Sequence, residues 1–307
     1  MKNAVVVARR CVIAGVVAGV ALAGCSSSSK TADNSDTTAT TTTVPAPAAP
    51  PKVSIDAADF TFSLPAQVPA GYVDVTLNNH GKEGHQIGFI KLGSMTYAEF
   101  KAAAVTTDLN KMKPGTVFVA GPNGADAGKS ASAIVKLDPG DYAVACFIPA
   151  NADGKPHAAH GMIAPIKVVK TADSYEVAPA VAATITLNEF KFGVPAGFTG
   201  KGLVDVSNVG KQVHELVILK LNPGKTLNDA KGFLLTPPGT PPPAGPPPFS
   251  AIPGLGGVTG LSPGQHAWLQ MNLTPGNYVL LCFFPDTSNN LGLPHALKGM
   301  TAEFTIK

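Results

Sequence analysis

The run Leu137-Asp138-Pro139-Gly140-Asp141-Tyr142 is followed by Cys146-Phe147, Pro156-His157 and Gly161-Met162. The same series returns as Leu273-Thr274-Pro275-Gly276-Asn277-Tyr278, Cys282-Phe283, Pro294-His295 and Gly299-Met300. A matching segment precedes each run: Asn79-His80-Gly81-Lys82-Glu83-Gly84-His85 before the first, Asn208-Val209-Gly210-Lys211-Gln212-Val213-His214 before the second. The likeness extends further upstream, where Phe60-Thr61-Phe62 and Val73-Asp74-Val75 answer to Phe190-Lys191-Phe192 and Val204-Asp205-Val206. Internal self-similarity governs any reading of a fold, and here it divides the chain into two like units. A length of 307 residues agrees, at roughly 100–200 residues per domain. The repeat places domains at 52–170 and 181–307, with 171–180 between them.

The units read as all-β. Segments 71–78, 85–92, 132–137 and 142–147, and in the second unit 202–207, 214–221, 265–273 and 278–284, are strand-length and rich in Val, Ile, Tyr and Phe. Gly, Pro and Asn bound them, which is the pattern of short strands between tight turns. Such spacing favours two tandem β-sandwiches with Greek-key connections. Leu-x-Pro-Gly-x-Tyr has the form of a tyrosine corner, whose hydroxyl ties the corner to nearby backbone. Period-two alternation sets Tyr142 and Cys146 on one face, and likewise Tyr278 and Cys282. Short helices are expected at 96–104 and 227–235. The proline-rich stretch 236–249 is expected to be an exposed, extended loop outside the sheet, because proline lacks a backbone donor.

The N-terminus reads as an export leader. Lys2, Arg9 and Arg10 precede an apolar stretch, 11–24, too short for a comfortable membrane span. It ends Leu22-Ala23-Gly24-Cys25, which resembles the bacterial lipobox. That resemblance implies a signal peptide over 1–24, cleavage before Cys25 and lipidation of its sulfur. Residues 25–51 continue almost wholly in Ser, Thr, Ala, Pro and Asp, a composition that gives a flexible tether. The expectation is a globular head anchored by lipid on the extracytoplasmic face of a bacterial cell membrane. Without the leader's three cations the chain holds 20 basic and 20 acidic residues and no arginine. Nucleic-acid binding, which wants a basic stripe and bidentate Arg, is set aside.

Each unit holds, in order, an imidazole, a thiol, an imidazole and a thioether: His85, Cys146, His157, Met162, then His214, Cys282, His295, Met300. Thiolate sulfur is soft, two neutral imidazoles complete a trigonal plane, and a thioether is a weak axial ligand, the donor set of a mononuclear copper electron-transfer site. Cysteine arithmetic agrees. Cys11 lies in the leader and Cys25 at the lipobox, which leaves one thiol per unit, at equivalent positions. A disulfide between them would need Cα atoms within about 7 Å. The competing reading is that each Cys is a small buried apolar residue.

Asn79-x-Gly81-x-x-x-His85, Tyr142-x-x-x-Cys146 and His157-x-x-x-x-Met162, with their second-unit counterparts, resemble the cupredoxins, the plastocyanin-like branch in particular. The resemblance implies a β-sandwich, one type 1 copper per domain on those eight residues, and an electron carrier with a redox partner protein. One departure stands out: ten residues separate Cys146 from His157 and twelve separate Cys282 from His295, where the family has only a few. A multicopper oxidase is excluded on supply, since a trinuclear cluster needs paired His-x-His motifs and the chain has 7 histidines and no such pair. A metal-free adhesion module and a copper store or trafficking protein remain as alternatives. His80, His160 and His266 lack counterparts and read as solvated or structural, although His160, between His157 and Met162, could substitute as a ligand. Trp268 reads as core, and Glu215 receives no role.

Overall fold

Alternation in the sequence becomes alternation in space. Along Gly71–Asn79 the residues Val73, Val75, Leu77 and Asn79 are buried while Asp74, Thr76 and Asn78 are half-exposed. Ala131, Ala133, Val135 and Leu137 do the same along Ser130–Leu137. The computed structural model describes residues 49–106, 109–236, 243–288 and 292–307. The expected signal 1–24, Cys25, most of the tether 25–51 and residues 237–242 of the proline-rich loop lie outside them.

The first half supplies strands β1 (Lys52–Ala58), β2 (Thr61–Ser63), β3 (Gln67–Pro69), β4 (Gly71–Asn79) and β5 (Gly88–Lys91), then helix α1 (Tyr97–Ala104). After it come β6 (Val117–Ala120), β7 (Ser130–Leu137), β8 (Gly140–Ala145) and β9 (Ile163–Val169). The second supplies β10 (Ala183–Asn188), β11 (Lys191–Gly193), β12 (Lys201–Asn208), β13 (His214–Leu221), helix α2 (Leu227–Leu234), β14 (Phe249–Ser250), β15 (Gly257–Leu261), β16 (His266–Asn272), β17 (Gly276–Leu281) and β18 (Thr301–Ile306). The fold is mostly β. Both helices begin on capping boxes, Thr96 with Glu99 and Thr226 with Asp229, so the first turn satisfies its own orphan N–H groups.

Two sheets run through both halves. One has the order β11-β10-β12-β16-β7-β4-β1-β2, and the other β18-β17-β13-β15-β6-β5-β8-β9-β3 with β14 beside β13. One buried apolar cluster draws on both sheets, with Val75, Leu77 and Val135 from the first and Phe89, Ile90, Val144 and Ile166 from the second. The halves meet along a seam where β16 pairs antiparallel with β7 and β15 with β6. Pro122 faces Val258 across it. Around that pair the bonds are reciprocal, the Asn123 N–H donating to Gly257 O (3.1 Å) and the Thr259 N–H to Gly121 O (3.0 Å). Rings close the seam, Phe118 edge-on to Phe284 at 5.6 Å and Tyr72 to Trp268 at 5.1 Å.

Both tyrosine corners form. Tyr142 donates to Asp138 O at 2.9 Å and Tyr278 to Thr274 O at 2.7 Å, each bond contributing about 1 kcal/mol.

Two expectations need correction. The strand expected over 85–92 is regular only from Gly88, because His85 exchanges both backbone bonds with Ala125 (2.9 Å each) instead of continuing the ladder. The proline-rich stretch also rejoins the sheet before it ends. Phe249 is buried and pairs with Leu221 as β14, while Pro247 O and Pro248 O accept from the Asn222 side chain and main chain, both at 3.0 Å. Proline cannot donate, but its carbonyl accepts freely.

Candidate metal centres

Three local devices bring distant residues together in each half. The first is the turn after β4. Asn79 is buried, and its amide donates to Glu83 O (2.7 Å) and Ala125 O (2.9 Å) while its Oδ1 accepts the Gly81 N–H (2.8 Å). This knot aims His85 inward. Gly81 is required: a Cβ there would stand 2.3 Å from Asp59 Oδ1 and 2.7 Å from His85 Nε2. Asn208 and Gly210 repeat the arrangement around His214.

The second device is the strand end that carries the thiol. β8 and β17 run straight into Cys146 and Cys282, both fully buried. Each sulfur accepts the N–H of the residue after the first histidine, from Gln86 at 3.5 Å and from Glu215 at 3.3 Å.

The third is the closing loop, and it accounts for the long spacing between Cys and His. Residues 147–156 leave and return as an appended hairpin pinched at Pro149 and Pro156. The His157 N–H then donates to Ile148 O (2.9 Å) and the Ala158 N–H to Cys146 O (2.9 Å). The second half does the same through Pro285 and Pro294, with His295 N–H on Phe284 O (2.8 Å) and Ala296 N–H on Cys282 O (2.8 Å). In the first half the extra residues are looped out, and in both halves the histidine comes back beside the cysteine. A 3-10 turn over His157–His160 or His295–Lys298 follows, stopped by Gly161 or Gly299 at positive φ (109° and 101°). Met162 and Met300, both fully buried, are tied back through their N–H to His157 O (3.0 Å) and His295 O (2.9 Å).

The outcome is two clusters, His85-Cys146-His157 and His214-Cys282-His295. In each, one donor atom per residue lies within 4.8 Å of the others, and all six residues are buried. In the first, His85 Nδ1 stands 3.1 Å from His157 Nδ1, which stands 3.4 Å from Cys146 Sγ. In the second the same distances are 3.0 and 3.4 Å. For a trigonal ion with metal–nitrogen bonds of about 2.0 Å, donors stand about 3.5 Å apart, so both clusters are close to binding size as they stand. His160 is outside the first cluster. Its Nε2 pairs with Asp153 Oδ1 at 3.0 Å. His80 pairs with Asp56, and His266 with Asp205.

Burial disfavours the charged form of every donor in both clusters. Burial pushes the Cys146 thiol up to about 12 and the Cys282 thiol further, so a thiolate here needs a positive partner, which a bound metal provides. Burial also holds His85, His157 and His214 below the ordinary histidine range and takes His295 down to about 4. The imidazoles are therefore neutral at neutral pH, the form that ligates.

The ring nitrogens that face away differ between the halves. His85 Nε2 lies 2.9 Å from Asp59 Oδ1 and His157 Nε2 lies 3.2 Å from Glu83 Oε2. Burial would raise Asp59, but the N–H groups of Lys82 and Glu83 and the imidazole hold it below the usual carboxylate range. In the second half, Glu189 Oε1 is 3.6 Å from His214 Nε2, and Gln212 Oε1 is 3.4 Å from His295 Nε2. Sequence reasoning missed Asp59, Glu83, Glu189 and Gln212. The usable signal was the alignment of the repeat itself, which sets Glu83 against Gln212.

No family model matches the chain, and no curated protein matches it. Solved structures do match. A reduced auracyanin from the photosynthetic bacterium Roseiflexus castenholzii is 20% identical, over 40% of this chain and 99% of that one, with a TM-score of 0.29. Auracyanin A, a "blue" copper protein from the green thermophilic photosynthetic bacterium Chloroflexus aurantiacus, is 16% identical over 39% and 100%, with a TM-score of 0.28. A multicopper oxidase is 16% identical over 83% and 88%, with a TM-score of 0.24. Scores of this size leave the functional argument to the geometry of the two clusters.

Proposed function

We propose that the chain is a tandem pair of cupredoxin-like domains, 52–170 and 181–307, that carries electrons through one type 1 copper in each. His85, Cys146, His157 and Met162 hold the first, and His214, Cys282, His295 and Met300 the second. The observation that carries the reading is the convergence of two Nδ1 atoms and one Sγ, fully buried, at the same spacing in both halves. Bound copper supplies one-electron chemistry between Cu(I) and Cu(II).

The chain's own residues do the rest. The Asn79 and Asn208 knots and the pinched hairpins fix the donors before metal arrives, so little must move when charge changes. Complete burial of the three donors keeps water out. With each Nδ1 turned inward, the proton stays on Nε2, and no proton transfer accompanies the electron. The lipobox reading adds a lipid anchor at Cys25, a station on the extracytoplasmic face of the membrane and a protein redox partner.

The test is a visible spectrum of the chain with added Cu(II), with copper counted. An intense thiolate-to-copper band and one ion per cluster support the reading. Cu(I) uptake with no such band would favour storage, turnover of dioxygen would move the chain to the oxidases, and no metal at all would leave an adhesion module.

A further inference from the structure

The inner donors of the two clusters are superposable in chemistry, but the groups behind them are not. In the first half each imidazole has a carboxylate at its outer nitrogen, Asp59 at 2.9 Å and Glu83 at 3.2 Å. Glu83 is held in place by the N–H of Asn151, at 2.9 Å, which belongs to the looped-out hairpin. In the second half the partner of His295 is a neutral amide. Gln212 is fixed in that orientation because its Nε2 donates to Asp286 (3.0 Å) while its Oε1 takes the Thr287 N–H and hydroxyl (2.7 and 2.8 Å). Glu189 turns its Oε1 to the Lys211 and Gln212 N–H groups. It leaves His214 Nε2, a fully buried atom, without a hydrogen-bond partner.

A carboxylate that accepts the distal N–H of a ligating imidazole pushes electron density onto the ring and raises its basicity toward the metal. The more highly charged ion gains most from that, so the oxidised state is favoured. A neutral amide does this weakly, and a carboxylate at 3.6 Å, as Glu189 is from His214 Nε2, does it less than one in hydrogen-bond contact. The backbone bond to sulfur works in the same direction. A donor on the thiolate withdraws density, and it is shorter in the second half, 3.3 Å against 3.5 Å. Glu215, buried beside Cys282, pulls the other way, but its carboxyl is taken by the Phe283 N–H (2.9 Å) and the Asn123 amide (3.3 Å) and touches no imidazole.

We propose that the two centres are ordered in reduction potential, the first-half centre lower and the second-half centre higher. Glu83 against Gln212, and the reach of Asp59 against that of Glu189, set the order. This rests on the copper reading above. An electron given to the chain then comes to rest in the second half. The internal exchange is balanced in itself, the first centre losing the one electron that the second gains, with both Nε2 protons staying where they are.

The test uses the full chain loaded with copper, in two variants that each keep one centre. Cys282→Ser keeps the first and Cys146→Ser the second, and each is titrated spectroelectrochemically. The expected result is a second-half centre at least tenfold easier to reduce, a difference of about 59 mV for a one-electron couple. Equal potentials, or the reverse order, overturn the proposal and leave the copper reading standing. The absence of a thiolate band in both variants overturns the copper reading, and the order with it. Glu83→Gln in the first background should raise its potential, and Gln212→Glu in the second should lower its own. If neither moves, the assignment to these side chains is wrong. In the metal-free protein, Glu83→Gln should shift the imidazole nitrogen resonances of His157 and leave those of His295 in place, a readout that needs no copper.

Discussion

His157 turns its outer nitrogen to a glutamate and His295 turns its own to a glutamine, although both rings reach their sulfur at 3.4 Å by the same pinched hairpin. The seam shows a similar contrast. Asn123 sends its amide across to Glu215 at 3.3 Å, whereas Thr259, at the reciprocal position, has a buried hydroxyl with no partner. In both places the backbone repeats and the side chain does not. The frame fixes where donors stand, and a few substitutions behind it decide how each centre is biased.

Removing one sulfur at a time should separate the two centres most strongly. Cys146→Ser and Cys282→Ser should each abolish one centre's absorption and halve the copper bound, by metal analysis of purified chain. If either variant loses both ions, the centres are not independent. Next in size is the glycine of the knot. Gly81→Ala puts a methyl 2.3 Å from Asp59 Oδ1, while Gly210→Ala meets Glu189 at 2.8 Å. Overpacking of this kind costs about 1–3 kcal/mol, and the first variant should lose more in thermal melting than the second.

At the seam, Asn123→Ala strips a donor from a buried carboxyl that burial already pushes up to about 7, and should cost about 1–3 kcal/mol in denaturant unfolding. Thr259→Val removes an unsatisfied hydroxyl at constant shape and should stabilise by up to about 1 kcal/mol. A loss there would show that the hydroxyl has a partner after all. The smallest effect concerns β4 against β12. Burial holds Asp74 above the usual carboxylate range, whereas Asp205 has His266 at 3.0 Å. An acid raised in the folded state gives its full stability below its unfolded pKa, near 3.9, and loses it as pH rises through the folded value. Asp74→Asn should therefore match the parent in acid and exceed it at neutral pH in denaturant unfolding.

Much of this was legible in the residues. Tyr142 and Tyr278 and the two His-Cys-His groups stand where the repeated spellings put them, because each depends on short-range patterns of alternation and turns. By spacing His160 could substitute as a ligand, but it serves Asp153, a matter of side-chain direction that spacing does not show. Asp59 and Glu189 were invisible for a different reason. They reach their histidines from β1–β2 and β10–β11 turns more than twenty residues upstream, so only the closed sheets bring them there. Glu215 has no acidic counterpart in the first half, where Gln86 stands, and that difference is what makes it informative. The proline-rich stretch departs from its expected place outside the sheet at its end, where carbonyls, not N–H groups, make the join.

The seam also has a consequence for solubility. A sheet with a free edge offers unpaired N–H and C=O groups to any passing strand, a standing risk of aggregation. Here β6 and β7 bring the free edges of the first half to the same side, and β15 and β16 cap both at once. Because the capping strands are counterparts of those they cap, each edge is complementary to itself. A chain cut within 171–180 would release two halves whose easiest partner is another copy of the same half, so each half alone would be expected to pair with its own kind. In the intact chain the covalent link supplies that partner at once, and the edge is never left bare.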